Sequence, residues 1–262
     1  MAEVIVTTSG KGGVGKTTAT ANIGAALAKM GYLVILIDSD VGLRNLDVTM
    51  GKEQMVVYDF LDVIEGNCTL EQAALQDDDQ KGLYLLPASQ TREKISVTPE
   101  MMIKLCKELK KTFDFIMIDC PAGIEQGFKN AIAAANRALV VTTPDIAAAR
   151  DADRVIGLLE AAGMEQILLI VNRIRVDMIK KGDMINIDNV IDILGVDTIG
   201  LIPEDERVIA CNAHGRLVLN EPHSLAGEAY QNIARRLCGE KVPIVKLEKS
   251  GGWRKRLKKI FK

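Results

Sequence analysis

The sequence predicts an α/β protein built on a doubly wound, mostly parallel sheet with helices on both faces, plus a C-terminal amphipathic helix. Three observations predict it. Short, continuously apolar runs recur along the chain, helix-length amphipathic segments separate them, and the first run leads straight into a glycine-rich loop that opens a helix. Continuous apolarity, rather than alternation, marks strands covered on both faces. Strands that alternate with helices pair in parallel, because a helical crossover returns each strand to the same end of the sheet.

Strands are expected at 4–6, 33–37, 83–86, 115–118, 139–141, 167–171 and 199–202. Between them, 16–30 reads as a helix closed by Gly31, and 99–112 as one opened by Thr98 and Pro99. Two more are 147–162, closed by Gly163, and 224–238, opened by Ser224. At 262 residues, with 48% hydrophobic and 26% charged content, the chain suits one substantial core. Residues 1–239 are therefore expected as one domain, 240–252 as a flexible linker ending in Ser250-Gly251-Gly252, and 253–262 as the amphipathic helix.

The opening Met1-Ala2-Glu3 leads directly into a strand without the basic start and apolar stretch of a secretory signal. No apolar run approaches the ~20 residues of a spanning helix. Five cysteines, scattered and never in a C-x-x-C pair, argue against a disulfide framework or a zinc site and for a reducing cytoplasm. Net charge is −2, yet residues 251–262 hold six basic side chains and no acid. The remaining 27 basic residues face 35 acids, so an acidic body carries a basic tail, and any anionic surface is met by the tail.

Gly10-Lys11-Gly12-Gly13-Val14-Gly15-Lys16-Thr17-Thr18 contains G-x-x-x-x-G-K-T between a strand and a helix, which is a P-loop in its confirming context. Small residues let backbone N–H groups curl round phosphates at a helix N-terminus whose dipole favours negative charge. Lys16 is expected to reach the β and γ phosphates. Thr17 offers a hydroxyl to Mg²⁺, and Asp119, ending the strand 115–118, is the expected carboxylate on the metal's other side.

Lys11, the second residue of the loop, departs from an ordinary P-loop, and with it the motif resembles the deviant Walker A group of ATPases, the MinD/ParA family. The resemblance implies a P-loop NTPase fold, hydrolysis of ATP to ADP and phosphate, and a face-to-face, ATP-dependent homodimer. In that dimer Lys11 would cross to the partner's phosphates, as an arginine finger does in trans. Asp38-Ser39-Asp40, followed by Gly42-Leu43-Arg44-Asn45-Leu46-Asp47, resembles the family's switch I. Asp40 would then orient the attacking water or accept its proton, and Asp38 would support Mg²⁺ from behind its ligands. Asp119-Cys120-Pro121-Ala122-Gly123 resembles switch II. Cys120 lies beside acidic groups with no second cysteine nearby, so thiolate chemistry is not expected of it. Asn172-Arg173 closes the strand 167–171 at the sheet edge where open α/β sheets bind ligands. By resemblance Asn172 reads the adenine, while Pro203-Glu204-Asp205 forms the loop over the base, with Pro203 and Asp205 as contacts.

In the tail, Trp253, Leu257, Ile260 and Phe261 are spaced to share one helical face, and Arg254, Lys255, Arg256, Lys258, Lys259 and Lys262 occupy the remainder. That describes an interfacial helix on an anionic membrane surface. Four large apolar side chains contribute ~6–10 kcal/mol gross and each cation ~1 kcal/mol, against ~4–15 kcal/mol for immobilisation. One tail binds marginally and two linked tails bind well, so a dimerisation switch becomes a membrane switch.

The tail assigns the chain to the MinD members of the family, whose resemblance implies a bacterial division-site protein, peripheral on the cytoplasmic face of the inner membrane. They recruit the division inhibitor MinC and are stimulated to hydrolyse ATP by MinE. The segment Arg150-Asp151-Ala152-Asp153-Arg154 resembles the partner-binding region. The rival is a ParA-type DNA-partitioning ATPase, which shares every phosphate residue. The acidic body argues against nucleic acid, because phosphate-tracking proteins spread basic charge over a face.

Overall fold

The computed structural model describes residues 2–90 and 97–244, so most of the expected linker and the whole C-terminal helix 253–262 lie outside the described residues. Eight strands form one sheet: β1 (Glu3–Thr8), β2 (Val34–Asp38), β3 (Leu75–Gln76), β4 (Leu83–Leu86), β5 (Phe115–Asp119), β6 (Arg137–Thr142), β7 (Gln166–Ile174) and β8 (Asp197–Pro203). Their spatial order is β3-β4-β2-β5-β1-β6-β7-β8. Every pairing is parallel except β3 against β4.

The helices are α1 (Lys16–Lys29), α2 (Leu46–Thr49), α3 (Phe60–Glu65), α4 (Leu70–Ala73), α5 (Pro99–Leu109), α6 (Gln126–Ile132), α7 (Ile146–Ala161), α8 (Val176–Lys181), α9 (Ile187–Leu194), α10 (Glu206–Asn212) and α11 (Leu225–Leu237). Apart from α1, the longer ones start where side chains satisfy orphan N–H groups. Thr98 accepts from the Met101 N–H, Asp145 from Ala148 and Ser224 from Gly227.

Both faces of the sheet are covered, as continuous apolarity requires. On one face Val4 and Val6 of β1 pack with Leu105 of α5, Val155 of α7 and Val190 of α9. On the other, Ile5 packs with Ile23 and Leu27 of α1 and Tyr230 and Ile233 of α11. The chain winds both ways from β1: β2 lies to one side of it and β6 to the other, which places the loop after β1 at the switch point where α/β sheets bind ligands. Register then aligns two acids, because Asp38 at the end of β2 sits opposite Asp119 at the end of β5.

Three features differ from the sequence expectation. The antiparallel edge β3 is only two residues long, too short to leave an apolar run. Helix α5 stops at Leu109 rather than 112, and the Phe113 N–H then bonds the Leu109 carbonyl, a turn that returns Phe113 to the core. Strand β7 does not close at Val171 but runs to Ile174 through a register shift against β8. There Arg173 adopts a left-handed φ of 57°, uncommon for a side chain of its size.

Candidate active site

The loop between β1 and α1 is held open from within. Ser9 Oγ donates to the Lys11 carbonyl at 2.8 Å, and Gly13 and Gly15 take φ values of 78° and 97° that other residues rarely adopt. Helix α1 has no side-chain cap at Gly15 and no acid in its first turn, so its leading N–H groups are left for an anion. Lys16 is 8% exposed. Close packing fixes the loop from outside. A Cβ on Gly15 would lie 2.3 Å from Asn172 Nδ2, and one on Gly10 would lie 2.3 Å from the Asp151 carbonyl oxygen in α7. Backbone on backbone cannot yield as a side-chain tip does. Gly10→Ala is therefore expected to cost about 1–3 kcal/mol, read as a lower midpoint in denaturant unfolding. An unchanged midpoint would mean that α7 shifts freely against the loop.

Thr17 and Asp119 meet as a metal pair would require. Thr17 Oγ1 donates to Asp119 Oδ2 at 2.6 Å and Thr20 Oγ1 to Asp119 Oδ1 at 3.3 Å. Burial, then the neighbouring Asp38, push the Asp119 carboxyl up to about 7 against the pull of Thr17, Lys16 and Thr20. Burial likewise raises Asp38 to about 6, opposed by the N–H groups of Leu46, Asp40 and Asn45. Two buried carboxyls set opposite each other, with Asp38 raising Asp119, want a cation beside them, and a threonine hydroxyl with a carboxylate is the oxygen donor set that suits Mg²⁺.

Asp38 itself is engaged by switch I, its oxygens accepting from Asp40 N–H at 2.9 Å and from Asn45 and Leu46 N–H at 3.0 Å. The two switches are tied together, since Ser39 donates to the Asp119 carbonyl through both its hydroxyl, at 2.7 Å, and its N–H, at 3.0 Å. Asp40 stands half-buried beyond them. The Cys120 thiol is pushed up to about 12, chiefly by burial and only secondarily by acids, which corrects the cause expected from sequence but not the outcome.

Lys11 differs sharply from Lys16. Its side chain is 51% exposed, and its Nζ lies 4.0 Å from Asp145 Oδ1.

Beside the loop lies a cleft of about 220 Å³ lined by Asn172, Arg173, Pro203, Asp205, Ile209 and Tyr230, among others. Asn172 Nδ2 donates to the Val14 carbonyl at 2.8 Å. Asp205 lines the cleft, but its carboxylate caps α10 and α11, accepting from Arg207 N–H, Ser224 Oγ and Leu225 N–H. Sequence reasoning named Arg173 and Arg44 within their segments without foreseeing their contacts, and it missed Tyr230. Arg173 donates to the Gly13 carbonyl at 3.3 Å and pairs with Glu204 at 3.0 Å, clasping loop to cleft. Arg44, at a φ of 41°, pairs at 2.5 Å with the fully buried Asp47 inside switch I. Tyr230 comes from α11, far along the chain, and no local pattern marks it.

Loop, paired carboxyls and cleft together define a P-loop nucleotide-binding protein with the extra lysine of the deviant Walker A class. Residues 5–218 match the model of the CobQ/CobB/MinD/ParA nucleotide binding domain. The chain is 50% identical to the septum site-determining protein MinD of Bacillus subtilis (strain 168), over 100% of this chain and 98% of that one. It superposes on MinD from an Aquifex aeolicus MinC:MinD cell division protein complex with a TM-score of 0.87 and 45% identity, covering 94% of this chain and 99% of that one. A MinD of Pyrococcus horikoshii OT3 complexed with Mg-ADP gives 0.82 and 30% identity, covering 92% and 100%. The chain belongs to the septum site-determining MinD family of the MinD/ParA nucleotide-binding proteins. It is a P-loop ATPase with ATP and Mg²⁺ as its cofactors.

Proposed function

We propose that this ATPase is an ATP-dependent homodimer that binds a membrane through its C-terminal helix and recruits a division inhibitor of the MinC kind, with hydrolysis stimulated by a partner of the MinE kind. The contrast between the two P-loop lysines carries the reading. Lys16 is buried toward its own phosphate cradle, whereas half-exposed Lys11 points its charge where a second copy could use it.

Within one protomer, the N–H groups of Gly10 to Thr18 hold the phosphates, Lys16 neutralises them, and Thr17 and Asp119 hold Mg²⁺ with Asp38 behind. When bound, the metal spreads the charge developing on the transferred phosphoryl group. Asp40 orients the attacking water or takes its proton, held by the switch backbone that Asp38 anchors. Asn172 gives one N–H to the Val14 carbonyl, which fixes the amide, and its Oδ1 accepts from the adenine amino group. Pro203 covers the base, and the Asp205 backbone borders it while its carboxylate keeps the loop in place.

The Aquifex neighbour was solved with MinC, which supports the inhibitor as partner. In this chain α7, bearing Asp151 and Asp153 exposed, touches the P-loop at Gly10 and so suits a partner that reads nucleotide state. No helix among the described residues is long and apolar enough to cross a membrane, and the attachment proposed here is peripheral, on the cytoplasmic face.

The test is co-sedimentation with anionic vesicles under Mg-ATP and Mg-ADP, repeated with duplex DNA. Removal of 251–262 is expected to leave ATP binding intact and abolish sedimentation. Persistent sedimentation would assign lipid binding to another surface. ATP-dependent DNA binding with a steep salt dependence would instead favour the ParA-type role.

A further inference from the structure

One polar group in the cleft has no part in the chemistry above. Tyr230 is 1% exposed, and its ring packs in the core with Ile202 of β8 and Ile23 of α1. It nonetheless forms part of the cleft wall beside Asn172, Pro203 and Asp205. Its hydroxyl has no hydrogen-bond partner among the described residues.

Its polar neighbours are engaged with other groups. Glu204, which acts on it electrostatically, has both carboxylate oxygens on Arg173, at 3.0 and 3.3 Å. Asp205 holds the Ser224 hydroxyl at 2.8 Å and the Leu225 N–H at 3.0 Å. The Asn172 amide nitrogen is on Val14. The hydroxyl is not one of the fully enclosed unpaired groups, so it opens on the cleft, where a ligand atom can take its hydrogen bond. Burial, reinforced by Glu204, also raises its pKa, so it stays protonated and able to donate.

We propose that the Tyr230 hydroxyl is a base contact, donating to a ring nitrogen of the bound purine. The inference rests on the assignment of this cleft to the nucleotide base. It adds a second polar reading beside Asn172, from helix α11 rather than strand β7. Because Asn172 and Tyr230 line the cleft from different elements, the two-ring purine is expected to engage both better than a single-ring pyrimidine, so the contact is expected to favour purines.

The full-length protein and its Tyr230→Phe variant, which keeps the ring, are titrated with Mg-ADP and Mg-CDP. The variant is expected to bind ADP roughly 5–20-fold more weakly, with CDP affinity and the nucleotide-free unfolding midpoint unchanged. In the wild-type protein, 3-deaza-ADP or 7-deaza-ADP is expected to bind more weakly than ADP, and that deficit should vanish in the variant. Unchanged ADP affinity, or an equal loss for ADP and CDP, would overturn the contact while leaving the cleft assignment standing. A wild-type protein that did not prefer ADP to CDP would overturn the cleft assignment itself.

Discussion

Replacing Lys11 with alanine is expected to leave ATP binding within a few fold and to cut partner-stimulated hydrolysis by about 10³-fold or more, the scale on which trans cations act in phosphoryl transfer. The physical reason is position. Lys11 is 51% exposed and only loosely paired, at 4.0 Å, with Asp145, so losing it removes little from its own protomer. In the proposed dimer its charge would count when the transition state of the facing copy gathers negative charge. Single-turnover hydrolysis with and without the stimulating partner checks this. A variant whose stimulated rate matches wild type would make Lys11 a solvated loop residue and remove the main support for the dimer.

Lys16→Ala is expected to act earlier and more completely. Lys16 is 8% exposed at the mouth of α1, near Asp119, whose carboxyl burial and Asp38 push up, and in the proposed reading it is the cation that meets the phosphates. Its loss leaves the β and γ phosphates facing Asp119 and Asp38 with less compensating charge. ATP affinity should fall by about 100-fold or more, consistent with ~3 kcal/mol for a charge-assisted contact in a buried site. Dimerisation and vesicle binding should disappear together at working ATP levels. Analytical ultracentrifugation and vesicle sedimentation under Mg-ATP read both. Normal ATP-driven vesicle binding by this variant would show that the tail responds to something other than the γ phosphate.

Much of this site could be read along the chain because its parts are contiguous. A phosphate cradle is made of successive N–H groups, so Gly10 to Thr18 announce it in one stretch, and the strand before and helix after confirm it. Asp119 was equally legible as the last residue of an apolar strand. The base cleft was less so. Asn172 and Pro203 were placed there by resemblance, but its Arg173–Glu204 clasp depends on a left-handed Arg173 within a bulge, and no residue pattern foretells that geometry. The engagement of Asp205 in capping two helices was also invisible, because Ser224 and Leu225 come from the other side of α10.

By itself the sequence determined the α/β alternation, the P-loop, the second lysine and the basic amphipathic character of the tail, each read from contiguous stretches of chain. Only the tertiary structure decided that Asp38 and Asp119 stand side by side, that Gly10 and Gly15 are pressed against α7 and Asn172, and that Tyr230 reaches the cleft with an unspent hydroxyl. Local patterns record what a segment can form on its own, through period and turn chemistry. Which distant segments share a surface follows from strand order and the burial of two separate cores, and those energies are summed over the whole chain.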